Sequence, residues 1–125
     1  MKRTYFLLIL ISSIVLVGLT GSYFGLRIWI KSDFDKICNE AMEQYASDNK
    51  SEALILVLKS ESQNLNAKNH AIWALGHLKD NKALPVLKEL QTGTECDHGK
   101  FVCQRELNRT IGYLEGTRIN IMRFK

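Results

Sequence analysis

The chain has 125 residues, a formal net charge of +4, 46% hydrophobic residues and 24% charged residues. That leaves room for one small domain, shorter than most soluble enzymes of ordinary design. The apolar content is too ordinary for a disordered chain, and three Cys are too few for a dense disulfide scaffold.

Averages conceal two unlike pieces. From Tyr5 to Leu26, YFLLILISSIVLVGLTGSYFGL, 22 consecutive residues carry no charge. As a helix they extend about 33 Å, enough to cross a hydrocarbon core of roughly 30 Å. Ser12, Ser13, Thr20 and Ser22 are compatible with that, because hydroxyls can bond back to carbonyls one turn earlier. Lys2 and Arg3 precede the run, and Arg27 and Lys31 follow it. Tyr5, Phe6, Tyr23, Phe24 and Trp29 lie near its ends, where amphipathic rings favour the headgroup region. Residues 5–30 therefore read as a transmembrane signal anchor behind a short cytoplasmic tail, residues 1–4.

The rival is a cleaved secretory signal, whose apolar stretch runs about 7–15 residues and ends in a small-x-small site. The stretch from Phe6 to Leu19 is near that upper limit. Val17-Gly18-Leu19 and Leu19-Thr20-Gly21 are poor cleavage sites, however, and the first Cys is Cys38, far from any lipoprotein site. An uncleaved anchor is favoured. Lys2 and Arg3 place the N-terminus in the cytoplasm, whereas Arg27, Lys31 and Lys36 oppose that. A very short tail before the first apolar helix, with the cysteine pattern below, puts the C-terminal domain outside the cytoplasm.

Removing the anchor also removes most of the basicity. Residues 31–125 hold 14 Lys and Arg and all 13 Asp and Glu, a net charge of +1. A nucleic-acid binder needs a basic face well beyond that. Arg105 and Arg109 are four apart on an expected helix, but Glu106 sits between them and a solvated face is the simpler reading.

The remaining chain repeats itself. Ala67, Ala71, Ala74, Leu75 and Leu78 form one buried helical stripe. Asp80 and Asn81 break it as turn and N-cap residues do. Ala83, Leu84, Val86, Leu87 and Leu90 begin a second stripe, with Pro85 near the first turn, and Thr92 and Gly93 end it. This predicts two short antiparallel helices joined by a tight turn. Echoes flank the unit at roughly 30 and 36 residues. Asp48-Asn49-Lys50 with Glu52-Ala53-Leu54 matches Asp80-Asn81-Lys82-Ala83-Leu84, and Ile111-Gly112-Tyr113-Leu114 matches Leu75-Gly76-His77-Leu78.

The central unit resembles a HEAT repeat of the short bacterial, phycobilisome-lyase-like type, through Ala71, Leu75, Gly76, Leu78, Asp80, Ala83, Leu84, Pro85 and Leu87. Lys82 stands for the family's basic turn residue. The match is specific over about 25 residues and weak outside them. The resemblance implies an all-α fold: a short α-solenoid of about two and a half HEAT-like hairpins over residues 31–116, preceded by one transmembrane helix. Asp33 to Tyr45 is the expected leading helix, with Phe34, Ile37, Cys38, Ala41 and Tyr45 inward. Leu54 to Leu58 is apolar throughout and alone could be a buried strand; only its correspondence to Leu84–Leu87 makes it helix. The third unit keeps a first helix, Phe101 to Leu114, without a second. The C-terminal tail, residues 117–125, alternates in polarity and reads as extended.

Candidate chemistry is sparse. Cys96 and Cys103 flank the loop after the second unit, and outside the cytoplasm a disulfide there would stabilise by about 2–3 kcal/mol. Two free thiols, or a metal held with Asp97 and His98, are the alternatives. A structural zinc site prefers paired Cys spacing that this chain lacks. Cys38 lies on an apolar stripe as a small buried residue. His70 and His77, seven apart, are too far for an i, i+4 ligand pair, and no His-Glu dipeptide occurs. They and Trp73, one position off the apolar stripe, are helix-packing residues or parts of an interaction surface. No phosphate loop or nucleophile elbow is present. Asn49-Lys50-Ser51 and Asn108-Arg109-Thr110 fit a glycosylation pattern that arises often by chance. No catalytic residue, cofactor or metal follows. The expectation is a non-catalytic protein–protein adaptor on the outer side of a bacterial inner membrane. A bilin-lyase-like or metal-dependent enzyme on the same scaffold is the rival, and self-association the third possibility.

Overall fold

The computed structural model describes residues 2–94, 96, 97 and 99–124. Met1 and Lys125, the outermost residues of the two expected tails, lie outside them, as does His98. Among the described residues the chain is helical, with no strand. It divides into two compact units, residues 1–33 and 34–125.

Helix α1 (Lys2–Tyr45) continues through both units. In the first, every residue from Arg3 to Trp29 is exposed although the run from Tyr5 to Leu26 is uncharged. An apolar surface of that extent has no aqueous solution to its burial. The helix is long and apolar enough to cross a membrane. Its hydroxyls are satisfied internally: Ser12 donates to the Ile9 carbonyl at 2.8 Å, Ser13 to Leu10 at 2.8 Å, Thr20 to Leu16 at 2.9 Å and Ser22 to Gly18 at 2.8 Å. A polar group so paired carries little desolvation cost into hydrocarbon.

In the second unit the last turns of α1 are amphipathic, as the sequence predicts. Phe34, Cys38 and Ala41 are buried, while Ile37 and Tyr45 are partly covered. Helix α1 stops where Ala46 takes a left-handed φ of 48°. Helix α2 (Lys50–Lys59) begins at Asn49, whose side chain accepts from the N–H groups of Ser51 at 2.9 Å and Glu52 at 3.2 Å. The cap matters because the first turn's donors have no helical partner. The apolar run is thus a helix: Ala53, Leu54, Val57 and Leu58 are buried, whereas Leu56 within it is exposed.

Helix α3 (Leu65–Leu78) starts at Asn64, which accepts from the Ala67 N–H at 2.8 Å. It ends at Lys79 in the left-handed region, with φ 57°. The predicted turn follows: Asp80 accepts from the Lys82 N–H at 3.0 Å and opens one short 3-10 turn, Asn81–Ala83. That runs into α4 (Leu84–Glu89), with Pro85 in the first turn, where its missing N–H leaves nothing unpaired. Helix α5 (Gln104–Glu115) closes the series at Gly116, φ 77°.

Helix α3 packs against α2 and α5, and α4 against α5 and α2. One close approach explains a motif residue. A Cβ on Gly76 would stand 2.9 Å from the Thr110 hydroxyl and 3.3 Å from the Tyr113 ring. The absent side chain lets α5 reach α3, where the fully buried Thr110 donates to the Ile72 carbonyl at 3.1 Å. The core around this seam is Ile72, Leu75, Leu87, Leu107, Ile111 and Leu114.

Candidate functional site

The residues singled out in the sequence fall into three separate places. His70 is exposed on α3 and borders a groove in the second unit, with a cavity volume of about 100 Å³. Ile37 and Ala41 of α1, Leu54 and Val57 of α2, and Ala67 and Ala71 of α3 give it apolar walls. Glu40, Gln44 and Gln63 supply polar groups beside His70. Small side chains create the space: Ala67 and Ala71 of α3 and Ala41 of α1 leave room that Leu would fill. The volume is less than the roughly 150 Å³ that takes a benzene ring, and below the roughly 300–1,000 Å³ of small-molecule pockets. It suits one apolar side chain.

His77 and Trp73 lie elsewhere. His77 is buried, and the Trp73 ring, half-buried, stands 4.6 Å from it. What covers His77 is the C-terminal tail. Residues 119–124 form no regular element and bend at Ile121, but their burial alternates: Met122 and Phe124 are buried, whereas Ile119, Ile121 and Arg123 are exposed. The Phe124 ring sits 5.5 Å from the His77 ring and 5.1 Å from the Phe34 ring. His77 Nδ1 bonds to the Met122 carbonyl, which can only accept, so the proton is on Nδ1.

The tail also completes α3. Its last carbonyls have no helical donors, and the strap supplies two: Asn120 Nδ2 to the Gly76 carbonyl at 2.8 Å, and the Phe124 N–H to the His77 carbonyl at 3.1 Å. Asn120 is itself held, since its Oδ1 accepts from the Met122 N–H at 3.0 Å. The expected tail is extended, yet it is part of the packed unit rather than an appendage. Of the two histidines of α3, His77 is a packing residue and His70 is exposed.

The third place is the loop before α5. The disulfide expected between Cys96 and Cys103 is not formed; both are thiols, with sulfurs 3.8 Å apart against about 2.05 Å in a bond. Each cysteine has another role in starting α5. Cys103 is the N-cap residue, its N–H donating to Asn69 Oδ1 at 2.7 Å, and Cys96 Sγ accepts from the Arg105 N–H at 3.2 Å. That N–H pulls the Cys96 thiol below its ordinary pKa, with smaller help from Cys103 and the Gln104 N–H. Buried Gln104 holds the loop down, accepting from the Thr92 N–H at 3.0 Å and donating to the Leu90 and Val102 carbonyls, each at 3.2 Å.

Cys38 is the opposite case. Fully buried, its thiol is pushed up to about 11, chiefly by desolvation, with Lys50 lowering and Asp35 raising it. Among the described residues no three His, Cys, Asp or Glu side chains converge as a metal set. The Asp97–His98 part of the metal alternative lies partly outside the described residues.

The sequence reading missed the strap's inward residues, Asn120, Met122 and Phe124. The available signal was the alternation itself, ending in an aromatic residue. Compared with known proteins, the chain matches no protein-family model, no curated protein and no solved structure.

Proposed function

We propose that this protein is a membrane-anchored, non-catalytic adaptor whose second unit grips an apolar side chain of a partner protein. The groove walled by Ile37, Ala41, Leu54, Val57, Ala67 and Ala71 carries the proposal. Its size fits an anchoring side chain, and Glu40, Gln44, Gln63 and His70 can bond the partner's backbone around it. The repeat reading is supported by the order of packing, in which α3 meets α2 and α5 while α4 meets α2 and α5. The apolar residues 5–30 hold the adaptor at a bacterial inner membrane as a signal anchor, with residues 34–125 on the outer side.

A photo-crosslinking residue in place of Gln44 or His70, in the full chain in cells, tests the groove. One defined partner adduct at both positions, absent when the probe replaces Glu89 on α4, is the expected result. Adducts equally frequent at all three positions, or none, would contradict it, and an adduct at twice the chain mass would identify a second copy as the occupant. A C-terminal reporter active only outside the cytoplasm tests the orientation.

A further inference from the structure

The strap leaves an unusual surface. Ile119 is 86% exposed and Ile121 73%, although the same segment buries Met122 and Phe124. Two neighbouring isoleucines held outward by a docked backbone are not a by-product of disorder, because Asn120 and Phe124 fix the register on α3. Arg118 and Arg123 are exposed beside them, and Thr117 to Lys125 contains no acidic residue. Apolar side chains interleaved with cations, without anions, are the composition of an interfacial membrane contact.

Chain reach says where this surface stands. Phe124 packs on Phe34, ring to ring at 5.1 Å. Phe34 is four residues after Ile30 in the sequence. Four residues span at most about 14 Å in any conformation. One headgroup layer is roughly 5–8 Å thick, and Arg27 and Lys31 flank the apolar run. If residues 5–30 span the bilayer, chain connectivity alone keeps Phe34 within about 14 Å of the hydrocarbon edge, no more than about one further layer beyond the headgroups.

We propose that the outer face of the C-terminal strap, Ile119 and Ile121 with Arg118 and Arg123, lies in the headgroup layer of an anionic membrane. The isoleucines enter the interface and the two guanidinium groups pair with lipid phosphates. The strap then has two faces with two tasks: the inner one caps α3 and covers His77, and the outer one fixes the second unit against the bilayer. The proposal rests on residues 5–30 being a membrane span, and the test separates the two.

The full chain, with isoleucine methyl groups labelled, is placed in nanodiscs of phosphatidylcholine and phosphatidylglycerol and observed by NMR. A spin label deep in the acyl chains reports the span through Ile9 and Ile14. A paramagnetic chelate on the headgroups reports the strap through Ile119 and Ile121, with buried Ile72 as the internal reference. The expected result is broadening of Ile119 and Ile121 by the headgroup probe severalfold greater than that of Ile72. The double variant R118E/R123E, or phosphatidylcholine alone, should reduce that ratio without changing Ile14. Equal broadening of Ile119, Ile121 and Ile72, with Ile14 still broadened by the acyl-chain probe, overturns the strap proposal alone. Unbroadened Ile9 and Ile14 would remove the span, and the strap proposal with it.

Discussion

The two units use apolar residues in opposite ways. In residues 5–29 leucine, isoleucine and phenylalanine side chains are exposed, and on the proposed membrane span they are nearly interchangeable, since lipid would accept any of them and only their sum would matter. In residues 34–124 each buried side chain fills one place, so shape decides as much as hydrophobicity. The same leucine should therefore be worth different amounts in the two units. Burial is a property of the solvent as well as of the fold.

The strongest way to break that contrast is to make one substitution twice. Leu75→Ala empties a fully buried site beside the α3–α5 seam and should lower the stability of the second unit by about 2–5 kcal/mol, read from urea unfolding of the full chain in mild detergent. Leu16→Ala, at an exposed position in the apolar run, should alter membrane retention by under about 1 kcal/mol. Equal effects would refute the comparison. A charge reverses the order of sensitivity: Leu16→Arg should cost about 3 kcal/mol of insertion, over a hundredfold in partitioning, seen as protein released by alkaline extraction of membranes.

Gly76 tests the packed unit at a finer scale. Gly76→Ala places a Cβ 2.9 Å from the Thr110 hydroxyl, and the resulting strain should cost about 1–3 kcal/mol despite alanine's better helix propensity. Gly18→Ala and Gly21→Ala, where a Cβ meets nothing within 4 Å, should leave the fold unchanged. Thermal denaturation of the three variants separates these outcomes.

The smallest effect concerns the thiols, and its sign follows from the donors. A thiolate favoured by the Arg105 N–H forms at lower pH than an ordinary thiol, so Cys96 alkylation should rise earlier on a pH scale. Cys38, held up to about 11 by burial, should stay unreactive until the second unit unfolds. Mass spectrometry after timed alkylation of reduced protein resolves the two sites. Modification of Cys38 at the rate of Cys96 would falsify the placement of both.

The same comparison explains what could be read without coordinates. The apolar run of α1 is a sum over neighbouring residues, so the sequence alone contains it. The α3 stripe, the Asp80 turn and Pro85 are likewise local, and the structure has them where spacing puts them. Helix α2 was legible only by analogy, because Leu54 to Leu58 has no polar residue to reveal a period; Leu56 turns outward while its neighbours do not. Nor could spacing separate His70 from His77. They are seven apart on one helix, yet α3 borders the groove near one and the strap near the other. The strap bonds residues more than 40 positions away, and no local pattern encodes such a contact. The spacing of Cys96 and Cys103 makes them neighbours but does not choose between the bridge and the two thiols, since the Cys96 sulfur that accepts from the Arg105 N–H looks the same in sequence as one that bridges.

The central claim is that lipid stabilises the first unit and packing stabilises the second. Hydrogen exchange of the full chain in nanodiscs, measured by mass spectrometry across a urea series, tests it most directly. Amides of α2, α3 and α5 should lose protection together at the urea concentration that unfolds the second unit, while those from Leu8 to Leu26 stay protected. Loss of protection in both regions at one urea concentration would contradict the account.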